Sequence, residues 1–164
     1  MTIYTIGYEG IDIDDFLYLL LKHNIETVVD IRELPLSRKQ GFSKNILSNY
    51  LNLNGYEYIH IPQLGCPKPI RNQYRIDNDW ELYKKEFIGY LETKNDVLSE
   101  LSELAYSSNC ALLCFEANYN LCHRSLVADK VNQKFGFSVD HVKVTKSKQQ
   151  SLRIHYWLLH RRIN

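Results

Sequence analysis

Short apolar runs alternate along the chain with longer segments whose apolar residues recur every three or four positions. The short runs predict five strands, near residues 2–6, 27–31, 56–61, 110–115 and 138–144. The periodic segments predict helices that begin near Asp12, Ser43, Asp79, Asn95 and Cys122. This alternation predicts a single α/β domain over residues 1–164, with a mostly parallel sheet and helices on both faces in a Rossmann-like or flavodoxin-like three-layer arrangement.

Two segments do not follow this alternation of strand and helix patterns. Residues 62–78 contain Pro62, Pro67 and Pro69 and few periodic apolar positions, which predicts a long irregular segment. Such segments in compact domains are often functional. Toward the end of the chain, residues 145–151 are polar and residues 152–163 are predicted to form a helix.

A parallel sheet with right-handed crossovers brings the carboxyl ends of its strands to one edge. Ligands of open α/β sheets bind at that edge. Side chains that follow the predicted strands should therefore meet there, namely Tyr8, Glu9, Asp30, Arg32, His60 and Glu116.

The most informative candidate site follows the fourth predicted strand. Glu116 ends this apolar run, and Cys122, His123, Arg124 and Ser125 stand at the start of the next helix. A helix start offers free N–H groups and a positive dipole end, so we expect Arg124 and Ser125 to help hold an anion. His123 is the candidate general acid–base, because its ordinary pKa lies near neutrality. The same surroundings would lower the pKa of Cys122.

A second acidic and basic pair follows the second predicted strand. Alternation places Asp30 and Arg32 on the same side of that strand. A buried Asp30 is costly unless it is paired, so one interpretation is a structural pair with Arg32. The other makes Asp30 a base or metal ligand and Arg32 an anion clamp. Glu9, Asp30 and Glu116 together are candidate ligands for a divalent metal ion.

The loop after the second strand is a candidate phosphate cradle. Ser37 and Arg38 precede Gly41 and Ser43, and such a loop before a helix can bind phosphate through its N–H groups. Ser43 is expected to cap the helix as well. Tyr8, at the end of the first strand, is a further candidate for contact with the substrate.

Several well-known sites are missing or wrongly spaced. The segment Gly7–Gly10 lacks the third glycine of a dinucleotide fingerprint, and no Walker sequence is present. Only one residue separates Cys122 from Arg124, whereas the cysteine-phosphatase loop needs five. These observations argue against standard nucleotide hydrolases and cysteine phosphatases.

The four cysteines do not form a recognisable framework. Cys110 and Cys114 lie four positions apart in a predicted strand, which favours small buried hydrophobic residues. A zinc site built from Cys114, Cys122 and His123 lacks the paired ligand spacing of structural zinc motifs and is disfavoured on that ground.

Charge is unevenly distributed, although the net charge is only +1. Residues 143–164 carry six Lys or Arg and no acid, and residues 36–75 carry six Lys or Arg and one acid, Glu57. Two basic stretches suit a polyanion such as nucleic acid, while a solvated surface and a basic tail explain them equally simply.

No apolar run approaches the ~20 residues that a bilayer-spanning helix needs. The first residues lack the basic start and long apolar stretch of a signal peptide. We therefore expect a cytoplasmic protein with no membrane partner.

A set of short motifs is spread over residues 3–127. They are Thr5–Gly10, Val29–Arg32, Pro35 with Ser37 and Arg38, Gly41–Ser43, Leu64–Gly65, Leu113–Glu116 and Cys122–Arg124. In combination they resemble the family known as domain of unknown function 488. The resemblance implies a cytosolic α/β protein of a prokaryotic-type family, and it leaves the reaction open.

The leading hypothesis is an enzyme, a hydrolase or transferase, that acts on a nucleotide, nucleic acid or other phosphate-bearing substrate. Arg32, Arg38 and Arg124 would hold the anion, and His123 would be the acid–base. Carboxylates would orient His123 or bind a divalent metal ion, namely Glu9, Asp30 or Glu116. The alternatives are a non-catalytic nucleic-acid-binding module and a redox sensor built on Cys122.

Overall fold

The computed structural model describes residues 1–144 and contains one sheet of five parallel strands. The strands are β1 (Thr2–Gly7), β2 (Thr27–Asp30), β3 (Glu57–His60), β4 (Cys110–Cys114) and β5 (Ser138–His141). Their order in the sheet is β3-β2-β4-β1-β5, so β4 lies at the centre. The predicted polar segment 145–151 and the predicted helix 152–163 lie outside the described residues.

Helices cover both faces of the sheet, which confirms the predicted three-layer α/β architecture. They are α1 (Ile13–Lys22), α2 (Lys44–Leu53), α3 (Lys68–Asp77), α4 (Trp80–Glu92), α5 (Asn95–Ser107) and α6 (His123–Phe135). Apolar residues of α1 and α2 pack on one face, and those of α4, α5 and α6 pack on the other. Within residues 1–144, none of the helices has the length and apolar character needed to span a membrane.

The two predicted capping residues, Asp12 and Ser43, behave differently. The Asp12 side chain accepts a hydrogen bond from Asp15 N at 2.8 Å, and Asp79 caps α4 in the same way. Ser43 occupies the cap position of α2, but its hydroxyl donates to Ser37 O at 3.0 Å instead of capping the helix. Ser43 therefore closes the preceding loop on itself.

The irregular segment predicted for residues 62–78 is wrong over most of its length, because residues 68–77 form α3. Two of its three prolines stand at the start of the helix, Pro67 at the cap and Pro69 in the first turn, where no N–H partner is lost. No residue of α3 is fully buried, and only Ile70 and Tyr74 pack against the core. An exposed helix of this kind leaves little apolar periodicity in the sequence.

Two glycines allow loops to approach the strand ends closely. A Cβ on Gly7 would overlap the carbonyl group of Glu116, and a Cβ on Gly65 would lie 2.8 Å from Ile31 O. Any side chain at these positions would force the backbone apart. Both glycines therefore fix the loops that surround the carboxyl edge of the sheet.

Candidate functional site

An open cavity of about 590 Å³ lies at the carboxyl edge of the sheet. One side is formed by the loop after β2, another by α3 and α4, and the third by the segment after β4. The polar residues of its lining are Tyr8, Arg32, Glu33, Ser37, Arg38, Lys39, Cys66, Arg71, Tyr74, Arg75, Tyr83, Cys114, Glu116, Cys122 and His123. The cavity lies at this edge because the strands are parallel, which brings the carboxyl ends of β1, β2 and β4 together.

Four of these side chains form a compact group, which we call the β4 cluster: Cys114, Glu116, Cys122 and His123. Their ligand-type atoms all lie within 4.8 Å of one another. Cys114 Sγ donates to Glu116 Oε2 at 2.8 Å, and Cys122 Sγ donates to the same oxygen at 3.2 Å. The two thiols and the imidazole are buried, while Glu116 is half-buried.

The imidazole of His123 is held in one orientation. Its Nε2 lies 3.3 Å from Ile31 O, and because a carbonyl oxygen only accepts hydrogen bonds, Nε2 carries the proton. Its Nδ1 lies 3.6 Å from Cys114 Sγ. Phe87 packs edge-on against the ring at a centroid distance of 5.7 Å. The lone pair of Nδ1 therefore faces the cluster.

Burial and mutual contacts set the charges of the cluster. Burial acts to raise the pKa of Glu116, but hydrogen bonds from the thiols and the nearby His123 hold that pKa below its ordinary value. Burial raises the pKa of the Cys122 thiol well above its ordinary range. Burial acts to lower the pKa of His123, and its contacts with Cys122 and Glu116 leave that pKa raised. The cluster therefore presents a carboxylate beside a protonated Cys122 thiol, which differs from the low pKa expected for Cys122.

Basic side chains line the same cavity. Arg38 and Lys39 come from the loop after β2, and Arg71 and Arg75 come from α3. Arg71 pairs with Glu33 at 2.6 Å. Within residues 1–144, no carboxylate forms an ion pair with the other three cations. They are therefore available for an anionic ligand.

Asp30 and Arg32 form a buried structural unit, which we call the β2 network. Arg32 Nε donates to Asp30 Oδ1 at 2.8 Å, and its Nη2 donates to Oδ2 at 2.5 Å. Tyr58 Oη donates to the same carboxylate at 2.6 Å. Arg32 Nη1 donates to Tyr8 Oη at 2.7 Å and to Phe42 O at 2.9 Å. Asp30 is completely buried and does not line the cavity, so the geometry is that of the structural pair.

Three other predicted site residues also lie outside the cavity lining. Arg124 is only 1% exposed and donates to Glu116 O and Ala117 O, so its guanidinium holds the segment after β4 in place of an anion. Glu9 Oε2 accepts from Ala117 N at 2.9 Å. Ser125 Oγ donates to Cys122 O at 2.8 Å. Each of these side chains has a structural partner that the sequence pattern does not reveal.

The group of possible metal ligands in the structure differs from the group that the sequence predicts. The sequence suggested Glu9, Asp30 and Glu116, but in residues 1–144 the only group of three or more metal-type ligands within reach of one another is the β4 cluster. The spacing of Cys114, Cys122 and His123 in the sequence is not the paired spacing of structural zinc motifs and argues against them as ligands. The segment 115–121 folds back on β4, so the ligands converge without that spacing.

His60, Gly41 and Ser43 also lie outside the lining, and His60 Nε2 lies 2.9 Å from Arg32 O. The other predicted residues line the cavity, and sequence reasoning missed several more. Tyr8, Ser37 and Arg38 stand in the lining together with Arg32, Glu116, Cys122 and His123. The missed residues include Cys66, Arg71, Tyr74, Arg75 and Tyr83. They were missed because they belong to α3 and its neighbours, and the basic excess of residues 36–75 was the available signal. Burial raises the pKa of Cys66 to about 11.

Comparison with known proteins identifies a family. Residues 12–131 match the family described as Domain of unknown function DUF488, which is more than half of the 164 residues. The match begins after the Thr5–Gly10 motif and extends slightly past residue 127, where the expected resemblance ended. No curated protein and no solved structure matches the chain significantly. The chain therefore belongs to the Domain of unknown function DUF488 family.

Proposed function

We propose that the protein is an enzyme that hydrolyses a phosphate ester, with a nucleotide-like substrate bound in the cavity at the carboxyl edge of the sheet. The observation that carries this proposal is the shared cavity, in which unpaired cations face a carboxylate–thiol–imidazole cluster. Binding groups for an anion and groups able to perform chemistry are thereby within reach of one small molecule.

The phosphate would lie between the loop after β2 and α3. Arg38, Lys39 and Arg75 come from two separate elements that face the same cavity. Hydrogen bonds from guanidinium or ammonium groups to phosphate are among the strong charge-assisted kind. Four of the six basic residues in the segment 36–75 line this cavity, which supports a small enclosed ligand over an extended nucleic acid.

The rest of the substrate would contact an apolar rim. Leu34, Leu36, Phe115 and Leu121 line the cavity and are 59%, 80%, 43% and 48% exposed. Exposed apolar residues gathered around one opening mark a binding surface. A ligand that joins a phosphate to a flat base or another apolar group fits this combination.

Glu116 is the residue best suited to proton transfer. It is half-buried and lines the cavity, its lowered pKa keeps it ionised and able to accept a proton, and its hydrogen-bond partners are thiols and not a cation. In the proposed reaction a water molecule attacks phosphorus while Glu116 accepts a proton from it. The bond between phosphorus and the ester oxygen breaks, the leaving oxygen takes a proton from solvent, and Glu116 later returns its proton to solvent. Positioned proton transfer of this kind contributes roughly 10²–10⁴-fold to rate.

The two alternative functions have less support. A redox sensor built on Cys122 needs an accessible thiolate, whereas Cys122 is buried and burial raises its pKa. A nucleic-acid binder does not need a buried cluster beside its basic surface. The basic residues beyond residue 144 lie outside the described part of the chain and carry no weight in this choice.

Binding is tested by calorimetric titration of inorganic phosphate and nucleoside mono- and triphosphates. Arg38→Ala and Arg75→Ala should each weaken binding of the best ligand about 10-fold, since one charge-assisted contact is worth about 1.5 kcal/mol. Lys68→Ala is the matched control for Arg75, because Lys68 is an exposed residue of the same helix outside the cavity. Equal weakening by all three substitutions would place the ligand elsewhere.

Turnover separates the enzyme from the binder. A panel of phosphate mono- and diesters should include a substrate that the wild-type protein hydrolyses and that Arg38→Ala hydrolyses with a raised KM. A nucleic-acid binder would show no turnover and would lose affinity for single-stranded or duplex DNA steeply as salt rises. That second result would overturn the proposed function.

A further inference from the structure

The β4 cluster has the donor set of a transition-metal site. Two cysteines, one histidine and one carboxylate face one another at the buried end of the cavity. Sulfur and imidazole ligands together suit zinc, whereas Mg²⁺ and Ca²⁺ prefer oxygen ligands alone. The chemistry of the ligands therefore points to zinc among the common divalent ions.

The spacing of the atoms agrees with tetrahedral zinc. Zinc binds sulfur at about 2.3 Å and imidazole nitrogen at about 2.0–2.1 Å, which puts these two donors roughly 3.5–3.6 Å apart at a tetrahedral angle. Cys114 Sγ and His123 Nδ1 are 3.6 Å apart. All four ligand-type atoms lie within 4.8 Å of one another. Small side-chain rotations are enough to place one ion between them.

The orientation of His123 is an independent indication. A metal-binding histidine almost always donates its other ring N–H to a carbonyl or carboxylate, which fixes the ring and its tautomer. His123 Nε2 donates to Ile31 O in this way, and Nδ1 is left facing Cys114. The carbonyl of Ile31, just after β2, therefore fixes the imidazole ring in an orientation that suits metal binding.

We propose that the β4 cluster binds Zn²⁺ through Cys114, Cys122 and His123, with the Glu116 carboxylate beside the fourth coordination position. Zinc displaces the thiol protons when it binds. Three protein ligands leave one position for water, as in catalytic zinc sites, and the zinc ion lowers the pKa of that water. Glu116 Oε2, next to both sulfur atoms, would accept its proton.

This inference deepens the proposed function and rests on it for the role of the metal in hydrolysis. Metal binding itself is measured without any substrate. A protein that binds zinc but no phosphate ester would overturn the function alone. A protein that binds zinc but hydrolyses the ester equally well without it would overturn only the role of the metal in hydrolysis.

The first experiment measures zinc binding by metal analysis and by competition with a chromophoric chelator. The metal-depleted full-length protein should take up about one zinc ion per chain. Cys114→Ser and Cys122→Ser should each lower the affinity at least about 100-fold, because each removes a direct ligand. Cys110→Ser is the matched control, since Cys110 is a buried cysteine of the same strand outside the cluster. It should bind zinc as the wild type does.

A second experiment uses only the wild-type protein, in case the variants do not fold. Co²⁺ added to the metal-depleted protein should give the intense visible bands of a tetrahedral site and a thiolate-to-cobalt charge-transfer band, and Zn²⁺ should abolish both. Circular dichroism checks that the metal-depleted protein is folded.

Three results would overturn the zinc site. One is a folded wild-type protein without stoichiometric zinc or cobalt binding. Another is zinc binding that survives in Cys114→Ser and Cys122→Ser. The third is a disulfide between Cys114 and Cys122, formed during purification in air, that persists when zinc and a thiol reductant are supplied, detected by mass spectrometry of alkylated peptides.

Discussion

The strands β2 and β4 are neighbours in the sheet, and each ends near a carboxylate with very different surroundings. Asp30 is fully buried, and both of its oxygens accept hydrogen bonds from Arg32, with a further one from Tyr58. Glu116 lines the cavity, and its side-chain partners are two thiols, which are weak donors. No cation is bound to it within residues 1–144.

The difference teaches how to separate a structural carboxylate from one available for chemistry. The acceptors of Asp30 are occupied by a rigid guanidinium and a phenol, so this carboxylate stabilises the fold and holds Arg32 in place. Glu116 is held through its backbone by Arg124, and its carboxylate is left to face the cavity. The two carboxylates should therefore respond in opposite ways to mutation.

The largest expected effect on stability is at Asp30. Asp30→Asn removes the charge that balances buried Arg32, and breaking such a pair typically costs about 3–5 kcal/mol. We expect a loss of this size in the free energy of unfolding, measured by urea denaturation. Glu92→Gln is the control, because Glu92 pairs with Lys130 at the surface and its loss should cost less than about 1 kcal/mol. Similar small losses in both variants would mean that the β2 network is not structural.

A second test removes the support of Glu116 without touching its side chain. Arg124→Lys keeps the charge but loses the fork that binds Glu116 O and Ala117 O. Hydrogen bonds from charged groups contribute about 1.5–3 kcal/mol, and we expect a stability loss of about 2–3 kcal/mol. Because Arg124 is outside the cavity, a positioning role predicts a lower kcat with a nearly unchanged KM. A raised KM with an unchanged kcat would show direct contact with the anion.

A third test uses the close approach at Gly7. Gly7→Ala would push a methyl group into the Glu116 carbonyl and should cost about 1–3 kcal/mol of stability. Gly89→Ala is the control. Gly89 lies inside helix α4, and a Cβ at this position would meet no atom within 4 Å. That substitution should stabilise the protein by roughly 0.5–1 kcal/mol. Thermal unfolding of both variants distinguishes a local clash from a general sensitivity to alanine.

The smallest effect on stability is expected at Glu116. Glu116→Gln keeps the shape of the side chain and an oxygen acceptor for the thiols, so the free energy of unfolding of the metal-free protein should change by less than about 1 kcal/mol. A loss as large as that of Asp30→Asn would contradict the contrast between the two carboxylates.

Much of the fold could be predicted from local patterns. The strands and most helices follow apolar periodicity, and Asp12 and Asp79 cap helices as their side chains suggest. Helix α3 was not predictable in this way, because its stability comes from a few contacts such as those of Ile70 and Tyr74 and not from a continuous apolar face. Arg71 and Arg75 line the cavity from α3, so these two basic residues were not predicted.

The candidate site was predictable as a neighbourhood but not as a set of roles. Sequence placed Glu116, Cys122 and His123 at one strand end because parallel topology requires it. It could not show that Arg124 binds carbonyl groups or that Asp30 is saturated, because these contacts depend on side-chain directions. It disfavoured Cys114 as a metal ligand, since the ligand spacing becomes meaningful only when segment 115–121 folds back.

The most direct test of the account is turnover by Glu116→Gln, measured on the best phosphate ester together with the free energy of unfolding of the same sample. The account predicts that kcat falls by roughly 10²–10⁴-fold while the fold and the affinity for the ester are retained. Unchanged turnover in a folded Glu116→Gln protein would contradict the claim that the β4 cluster performs the chemistry.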